Sequence, residues 1–366
     1  MGAAVPVVLR NVLAEPRRLA VAVTGAGLAV ALMLLLEGLW SGLLTQVSAY
    51  PDRVGATFFV RQPGAKTLDQ GLIPASAASR VRAVPGVQAA DPVLARWVVL
   101  SLHGRKQVVT AAGFTPGGLG GPWELAAGRT VHGNGEIVMD QTLAAEHGIT
   151  PGAVLRVAGR PFRVVGLSAG TRASMGTGYV FMSLRSAQAL FGEPSAATFV
   201  LVRTASPGPV KAAITARTGL PADPPAVVAA AERDLYTAVM GQIFTLMVGI
   251  AFAAGTLIVA LSVYSAVVDR LREYGIAKAM GVREARLLRI VLGQTMLLSA
   301  LGLAAGFALY AAGSAVITAI WPQFQAELTP RAAGVVVLAA LLMGLLAAVV
   351  PARRLARLDP ASVYRA

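Results

Sequence analysis

Few residues in this sequence could do chemistry, and most of those fail on spacing. Gly166-Leu-Ser168-Ala-Gly170 has the pattern that lifts a serine nucleophile out of a strand-to-helix turn. That arrangement needs its histidine base after the serine, yet His103, His132 and His147 all precede it, so the motif reads as a strand ending in a small-residue loop. No paired histidine spacing is present for zinc. With no cysteine in the chain, thiolate ligands, thiol nucleophiles and disulfides are excluded together. A loop that cradles phosphate places glycine directly before lysine. The four lysines follow Ala65, Arg105, Val210 and Ala277, so the chain carries no standard ATP site of its own.

One ionisable side chain stands inside an apolar run. Glu37 interrupts residues 19–44, where a carboxylate is expensive unless it faces a cavity or a partner. The alternative is that it lies high enough to reach the outer interface, since Trp40 follows closely. Met33, Met240 and Met247 fall at a similar depth on the first two apolar runs. Methionine usually just packs a core, but its thioether also suits a soft or apolar ligand. Glu37, Met33, Met240 and Met247 are therefore a candidate ligand cavity.

The elements that would position such groups are mostly apolar. The chain has 366 residues, 55% hydrophobic and 14% charged, with a mean hydropathy of +0.65, too apolar for an ordinary soluble domain. The net charge of +14 could suggest a nucleic-acid partner, but no dense basic stretch is interleaved with aromatics, and many basic residues flank apolar runs. Residues 19–44, 237–268, 290–320 and 332–350 are each long and apolar enough to cross a bilayer as a helix. Residues 1–18 carry Val5, Val8, Leu9, Val12 and Leu13 at helical spacing and read as an amphipathic helix in the inner interface. Arginines at 10, 17 and 18, and again at 353, 354 and 357 in the tail 351–366, place both termini in the cytoplasm. Residues 321–331 form a short outer loop, and Gly302-Leu-Ala-Ala-Gly306 has the spacing that lets a second helix approach closely.

Residues 45–236 have the grammar of a folded domain, with recurrent Gly and Pro between short alternating segments. The pattern predicts strands at Ala56–Arg61, Val93–Ser101, Lys106–Gly113, Glu136–Met139, Val154–Val157, Phe162–Leu167, Tyr179–Met182 and Thr198–Arg203. It predicts helices at Ala75–Val84, Gln141–His147, Leu184–Phe191 and Val210–Thr218. The expected fold is an integral membrane α-helical protein with four transmembrane helices, and an α+β extracytoplasmic domain inserted between the first and second. It would be a multi-pass protein of the cell membrane.

Residues 269–289, DRLREYGIAKAMGVREARLLR, are a charged island between two uncharged runs. Leu271–Met280 contains no proline, its Leu271, Tyr274, Ile276 and Ala279 favour one side, and Gly281 is placed to stop it. A short helix across the inner face of the membrane is shaped to be gripped by something in the cytoplasm. Within it, REYGIAKAMG running into VREARLLRIVLGQ resembles the coupling-helix signature of MacB/FtsX-type ABC transporter permeases. LRNVLAEPRRLAVAVTGAGLAVAL, EIVMDQTLAAEHGITPGAVLRVAGRPFRVVGL and PARRLARLDPASVYR are similar to that family's start, outer domain and end.

The resemblance implies a homodimer of this chain bound to two copies of a separate ATPase subunit, which carries the ATP and magnesium. It implies that Leu271, Arg272, Glu273, Tyr274, Gly275, Lys278, Ala279 and Gly281 form the coupling helix, with Glu273 and Lys278 as polar and Tyr274 and Ala279 as apolar contacts to the ATPase. The short outer domain looks most like haem-export and DevC-type permeases. The implied activity is export or extraction of an amphipathic or apolar molecule, lipid-like or haem-like, by mechanotransmission, with no enzymatic activity and no cofactor held by this chain. The alternative is an FtsX-like transmitter that activates a cell-wall hydrolase and transports nothing.

Overall fold

The structure is a computed structural model that describes residues 16–102, 105–172, 177–320 and 326–356. It separates into two compact units. One comprises the described parts of Met1–Gly42, Gln242–Trp321 and Gln325–Ala366, the other Leu43–Gly241. The expected interfacial helix before Pro16, His103, the loop at 321–325 and the tail beyond Ala356 lie outside the described residues.

The first helix, α1 (Pro16–Arg53), has 38 residues, with Pro51 only in its last turn. At 1.5 Å per residue it is about 57 Å long, nearly twice a bilayer core of about 30 Å. The apolar run at 19–44 is thus part of a longer helix, whose last turns from Leu43 onward belong to the second unit.

The second unit follows as β1 (Phe58–Arg61), β2 (Ile73–Pro74), α2 (Ala77–Arg82), β3 (Val87–Leu102), β4 (Arg105–Phe114), β5 (Leu125–Gly128) and β6 (Glu136–Asp140). Next come α3 (Gln141–Glu146), β7 (Val154–Val157), β8 (Arg160–Ser168), β9 (Tyr179–Ser183), α4 (Leu184–Phe191), β10 (Ala196–Ala197), β11 (Phe199–Thr204), α5 (Pro207–Thr218) and β12 (Ala222–Asp223). Every strand and helix that the sequence pattern predicts is present. The pattern missed β2, β10 and β12, which have two residues each, too few for alternation to be read, and β5, whose Leu-Ala-Ala-Gly is exposed throughout and shows no alternation.

Strand β3 organises this unit because it serves two sheets in turn. Its first half, through Val93, pairs antiparallel with β11; its second half, from Leu94, pairs with β4. From β3 the hydrogen bonds run through β4, β9, β6, β8 and β7 and return to β3, which closes a six-stranded ring. Leu94, Leu100, Val109, Ile137, Met139, Phe162, Val180 and Met182 form its core. On the other side of β3, the order β12-β1-β11-β3 is covered by α2 and α5, with Val81, Val210 and Ile214 packed on Phe58, Val60 and Val202. Alternate residues of the same strands, Phe59, Val93, Ala95, Ala112, Phe181 and Leu201, turn to a third core with Tyr50 and Phe199, since successive side chains point to opposite faces.

The next helix, α6 (Pro225–Asp269), has 45 residues. Its beginning belongs to the second unit, where Val228 packs with Tyr50, Val54 and Phe199. Arg233 donates to Ser48 Oγ at 2.7 Å and pairs with Asp52 at 3.0 Å, which ties the start of α6 to the end of α1. Next to it in the chain lies Glu232, well before the uncharged run that begins at Met240. It is 7% exposed and accepts the Leu68 amide at 2.6 Å. Burial pushes its carboxyl up to about 7 from an ordinary 4.5; Asp69 adds to the rise, while the Leu68 hydrogen bond and Arg61 oppose it. The folded value exceeds the unfolded one, so this group's stabilising contribution is full below pH 4.5 and is lost as pH rises through 7. Glu232→Gln keeps an acceptor for the Leu68 amide. In thermal melts of the full chain it should be more stable than wild type at pH 8, by about 3 kcal/mol at most at ~1.4 kcal/mol per pH unit. The gap should close towards pH 4.5. Equal melting at pH 8 would refute this account of Glu232.

The first unit is completed by α7 (Leu271–Ala279), α8 (Glu284–Ile320), α9 (Pro330–Ala347) and α10 (Val349–Ala356). Among the described residues, four helices are long and apolar enough to cross a membrane: α1, α6, α8, and α9 with its continuation α10. Their packing relies on missing side chains. A Cβ on Gly302 would lie 2.7 Å from the Ala26 Cβ, and one on Gly27 would lie 2.9 Å from the Ala305 Cβ. The glycine pair on α8 therefore marks its close crossing with α1. Arg18 pairs with Asp269 at 2.6 Å and donates to the Ser262 carbonyl, so the first turn of α1 is held against the last turns of α6.

Candidate functional site

The charged island folds as a short helix with a defined stop and two unlike faces. After α7 the amide of Gly281 donates to the Lys278 carbonyl at 3.1 Å, and that of Val282 to the Ala277 carbonyl at 3.0 Å. This pair of bonds requires a left-handed residue between them, and Gly281, at φ +82°, supplies it without strain. Val282 then packs into the same cluster as Leu271 and Ala277, which pins the turn to the unit.

The inward face of α7 is Tyr274 and Gly275. Tyr274 is 7% exposed and sits in a cluster with Val267, Leu287, Val291 and Leu355. Burial pushes its phenol up, so the ring is a neutral wedge. This corrects the expectation that Tyr274 shares one side with Ile276 and Ala279 and offers itself to a partner: packing by Val267, Leu287 and Leu355 turns it inward, while those two stay outward. Lys278 is also engaged at home. Its Nζ lies 3.5 Å from Glu284 and donates to the Ala356 carbonyl at 3.2 Å, so it holds α7 to the start of α8 and the end of α10. The outward residues are Arg272, Glu273, Ile276, Ala279 and Met280, with Gly281 beyond them. Ile276 is 37% and Met280 74% exposed. They stand one helical turn apart, and sequence reading passed over both as contacts because neither is charged or aromatic. A hydrophobic i, i+4 pair on the outward face was the signal available.

The four residues of the candidate ligand cavity have different surroundings. Met33 is fully buried among Val30, Leu34, Ala251 and Met343. Met247 is 45% exposed. Glu37 is half-buried, and Arg331, at the start of α9, is the charge that acts on its carboxylate. Met240 lines a cavity of the second unit whose walls include none of the other three. Ser168 is fully buried at the end of β8, where its hydroxyl meets Thr171 Oγ1 at 2.5 Å, and Thr171 in turn donates to Asp140. Asp140 also caps α3 through the Thr142 and Leu143 amides. The serine therefore belongs to a structural network and has no access to a substrate.

Residues 19–220 match the family model of the MacB-like periplasmic core domain, and residues 245–360 match that of the FtsX-like permease C-terminal region. The first match alone spans more than half of the chain. The chain belongs to the MacB/FtsX-type family of ABC transporter permeases. This permease is also similar to an uncharacterized ABC transporter permease of Mycobacterium tuberculosis strain H37Rv, 26% identical over 361 residues, covering 97% of this chain and 98% of the relative. A second uncharacterized permease, of Mycobacterium bovis, is 27% identical over the same length and shares. Among solved structures, the extracellular domain of the noncanonic ABC-type transporter YknZ from Gram-positive bacteria is 15% identical, at a TM-score of 0.35. The match covers 45% of this permease and 96% of that domain. The periplasmic region of MacB from Actinobacillus actinomycetemcomitans is 13% identical at the same TM-score, covering 43% and 80%.

Proposed function

We propose that this permease couples ATP hydrolysis on a separate subunit to the export or extraction of an amphipathic molecule, with α7 as the ATPase contact. The observation that carries the reading is the two-faced build of α7. Tyr274 and Gly275 lock the helix to its own chain, while Ile276, Ala279 and Met280 remain outward between two charged neighbours, Arg272 and Glu273. A partner gripping that face would move α7 as a rigid piece. Motion would pass to α6 through Arg270 and Asp269, which directly precede α7 in the chain. Since α6 continues into the second unit at its start, one helix could carry the stroke from cytoplasm to outer domain. We further propose that two copies of the chain act with two ATPase subunits. The amphipathic cargo is supported by composition: Glu37 is the one charged side chain in residues 19–44, 240–268, 290–320 and 332–350, too few for a wide polar path.

The arrangement requires α7 inside and the second unit outside. In this cysteine-free chain, Ser101→Cys should react with a membrane-impermeant thiol reagent in intact cells, or in spheroplasts where an outer membrane intervenes. Met280→Cys should react only after lysis, although Met280 is 74% exposed. Labelling of position 280 in intact cells would overturn both the topology and the coupling role. The ATPase contact itself is tested by co-purification with variants of the outward face, Ile276, Ala279 and Met280.

A further inference from the structure

The second unit holds a cavity of about 280 Å³, formed where the end of α1, the start of α6 and the loop after β1 meet the rims of β3, β4 and β9. Its volume is near the lower end of small-molecule pockets at ~300–1,000 Å³. Rings dominate the wall. Tyr50 and Tyr179 stack at 5.4 Å between centroids, Tyr236 lines the same space, and Trp97, 56% exposed, stands among the lining residues. The Tyr50 hydroxyl already donates to the Gly120 carbonyl at 3.0 Å, so that ring offers its apolar surface.

The charge of the wall is the distinguishing feature. The chain carries a net +14, yet no lysine, arginine or histidine is among the lining residues, while two carboxylates, Asp69 and Glu232, are. Glu232 is buried and oriented by the Leu68 amide at 2.6 Å. The basic group that acts on it from outside the wall is Arg61, whose Nε is engaged with Asp223 at 2.9 Å and whose Nη1 donates to the Ala65 carbonyl at 2.7 Å. Thr67 on the same wall is 4% exposed, and its hydroxyl has no hydrogen-bond partner. A carboxylate next to an apolar cavity, whose one neighbouring cation is engaged elsewhere, is poorly solvated, and a ligand of opposite charge relieves that cost. The exposed ring of Trp97 on the same wall adds attraction for the same sign of charge. An anionic headgroup or a phosphate would meet two like charges.

We propose that this cavity binds an amphipathic organic cation, an apolar body carrying an amine or quaternary ammonium that sits between Asp69, Glu232 and the tyrosine rings. Tyr236, Val239 and Met240 of its wall lie on α6 just where the uncharged run begins, so an apolar body can follow that helix while the charge stays in the domain. The inference goes beyond the coupling role of α7 and does not depend on it, because binding needs only this chain.

The test measures benzyltrimethylammonium binding to the purified full chain in lipid nanodiscs by equilibrium dialysis, with empty nanodiscs as the blank. One saturable site per chain is expected. The probe does not titrate, so any pH dependence belongs to the protein. A carboxyl titrating near 7 beside Asp69, Arg61, Tyr179 and Tyr236 is ionised in roughly nine-tenths of molecules at pH 8 and one-tenth at pH 6, so binding should weaken about tenfold between them. Glu232→Gln should weaken binding about fivefold or more at pH 8 and flatten the pH profile. Asp69→Asn should weaken it at both pH values. 3-Phenylpropanoate, of similar size and opposite charge, should show no saturable binding. Non-saturable uptake of the cation, equal binding of the anion, or unchanged affinity and pH profile in both variants would overturn the proposal. No ATPase subunit is present in this assay, so its outcome is separate from that of the α7 reading.

Discussion

Replacing Ile276 and Met280 together by Asp is expected to leave the permease inserted and folded while its affinity for the ATPase subunit falls about a hundredfold or more. The two side chains are the outward apolar pair of α7. Fully burying a side chain of this size contributes about 1.5–3 kcal/mol, and a pair at one interface therefore supplies roughly 3 kcal/mol, or two powers of ten in affinity. Two carboxylates in the same place add a desolvation cost. Neither residue belongs to the buried cluster around Tyr274, so the fold has no reason to respond. Ala279→Asp, on the same face, should act in the same direction. Glu273→Ala should do little, because an exposed charge contributes at most about 1 kcal/mol. The measurement is the amount of ATPase subunit that co-purifies at equal permease expression, with ATP turnover of the complex alongside. Undiminished co-purification and turnover in the double variant would remove α7 from the coupling role. Tyr274→Ala separates anchoring from contact. It empties a packed site and should lower the melting temperature of the permease alone, at a cost in the ~3–5 kcal/mol range of large aromatic-to-alanine changes.

A second large effect is expected from Gly306→Val on α8. A Cβ at this position would collide with the Val30 side chain of α1 and stand 3.1 Å from the Gly27 carbonyl oxygen. Val30 is 1% exposed and β-branched, so it has neither room nor rotamer freedom to move aside. The helices must separate, which costs the overpacking penalty of about 1–3 kcal/mol and the contacts of the crossing as well. The same substitution at Gly313, further along α8, meets only the Leu35 Cδ1 at 3.8 Å and should be tolerated. Melting of both variants in one detergent tests this, since they share composition and host helix. Equal stability of the two would mean that the α1–α8 crossing is not held by close approach.

The two units differ in how far the sequence determined them. The spans were legible because, in a bilayer, apolar length alone decides what crosses. The regular strands of the second unit were legible because a half-buried strand must alternate. The start and stop of α7 were legible too, since only glycine fits the left-handed residue that ends it.

What the tertiary structure decided is which side of each element faces what. Leu271, Tyr274 and Ala279 share a helical period, but only the packing of Val267, Leu287 and Leu355 against α7 shows that Tyr274 turns inward and Met280 outward. The division of β3 between two partners depends on registers with β11 and β4, which lie about a hundred residues apart and leave no local trace. Glu37 drew notice because a lone charge in an apolar run is locally conspicuous. Glu232 did not, because it lies in an ordinary helical stretch, and its burial comes from Leu68, Tyr179 and Asp69, far away in the chain. Local patterns report how a residue relates to its neighbours within a few turns. Burial, and the shifted proton affinity that follows from it, is set by contacts that exist only once distant segments have met.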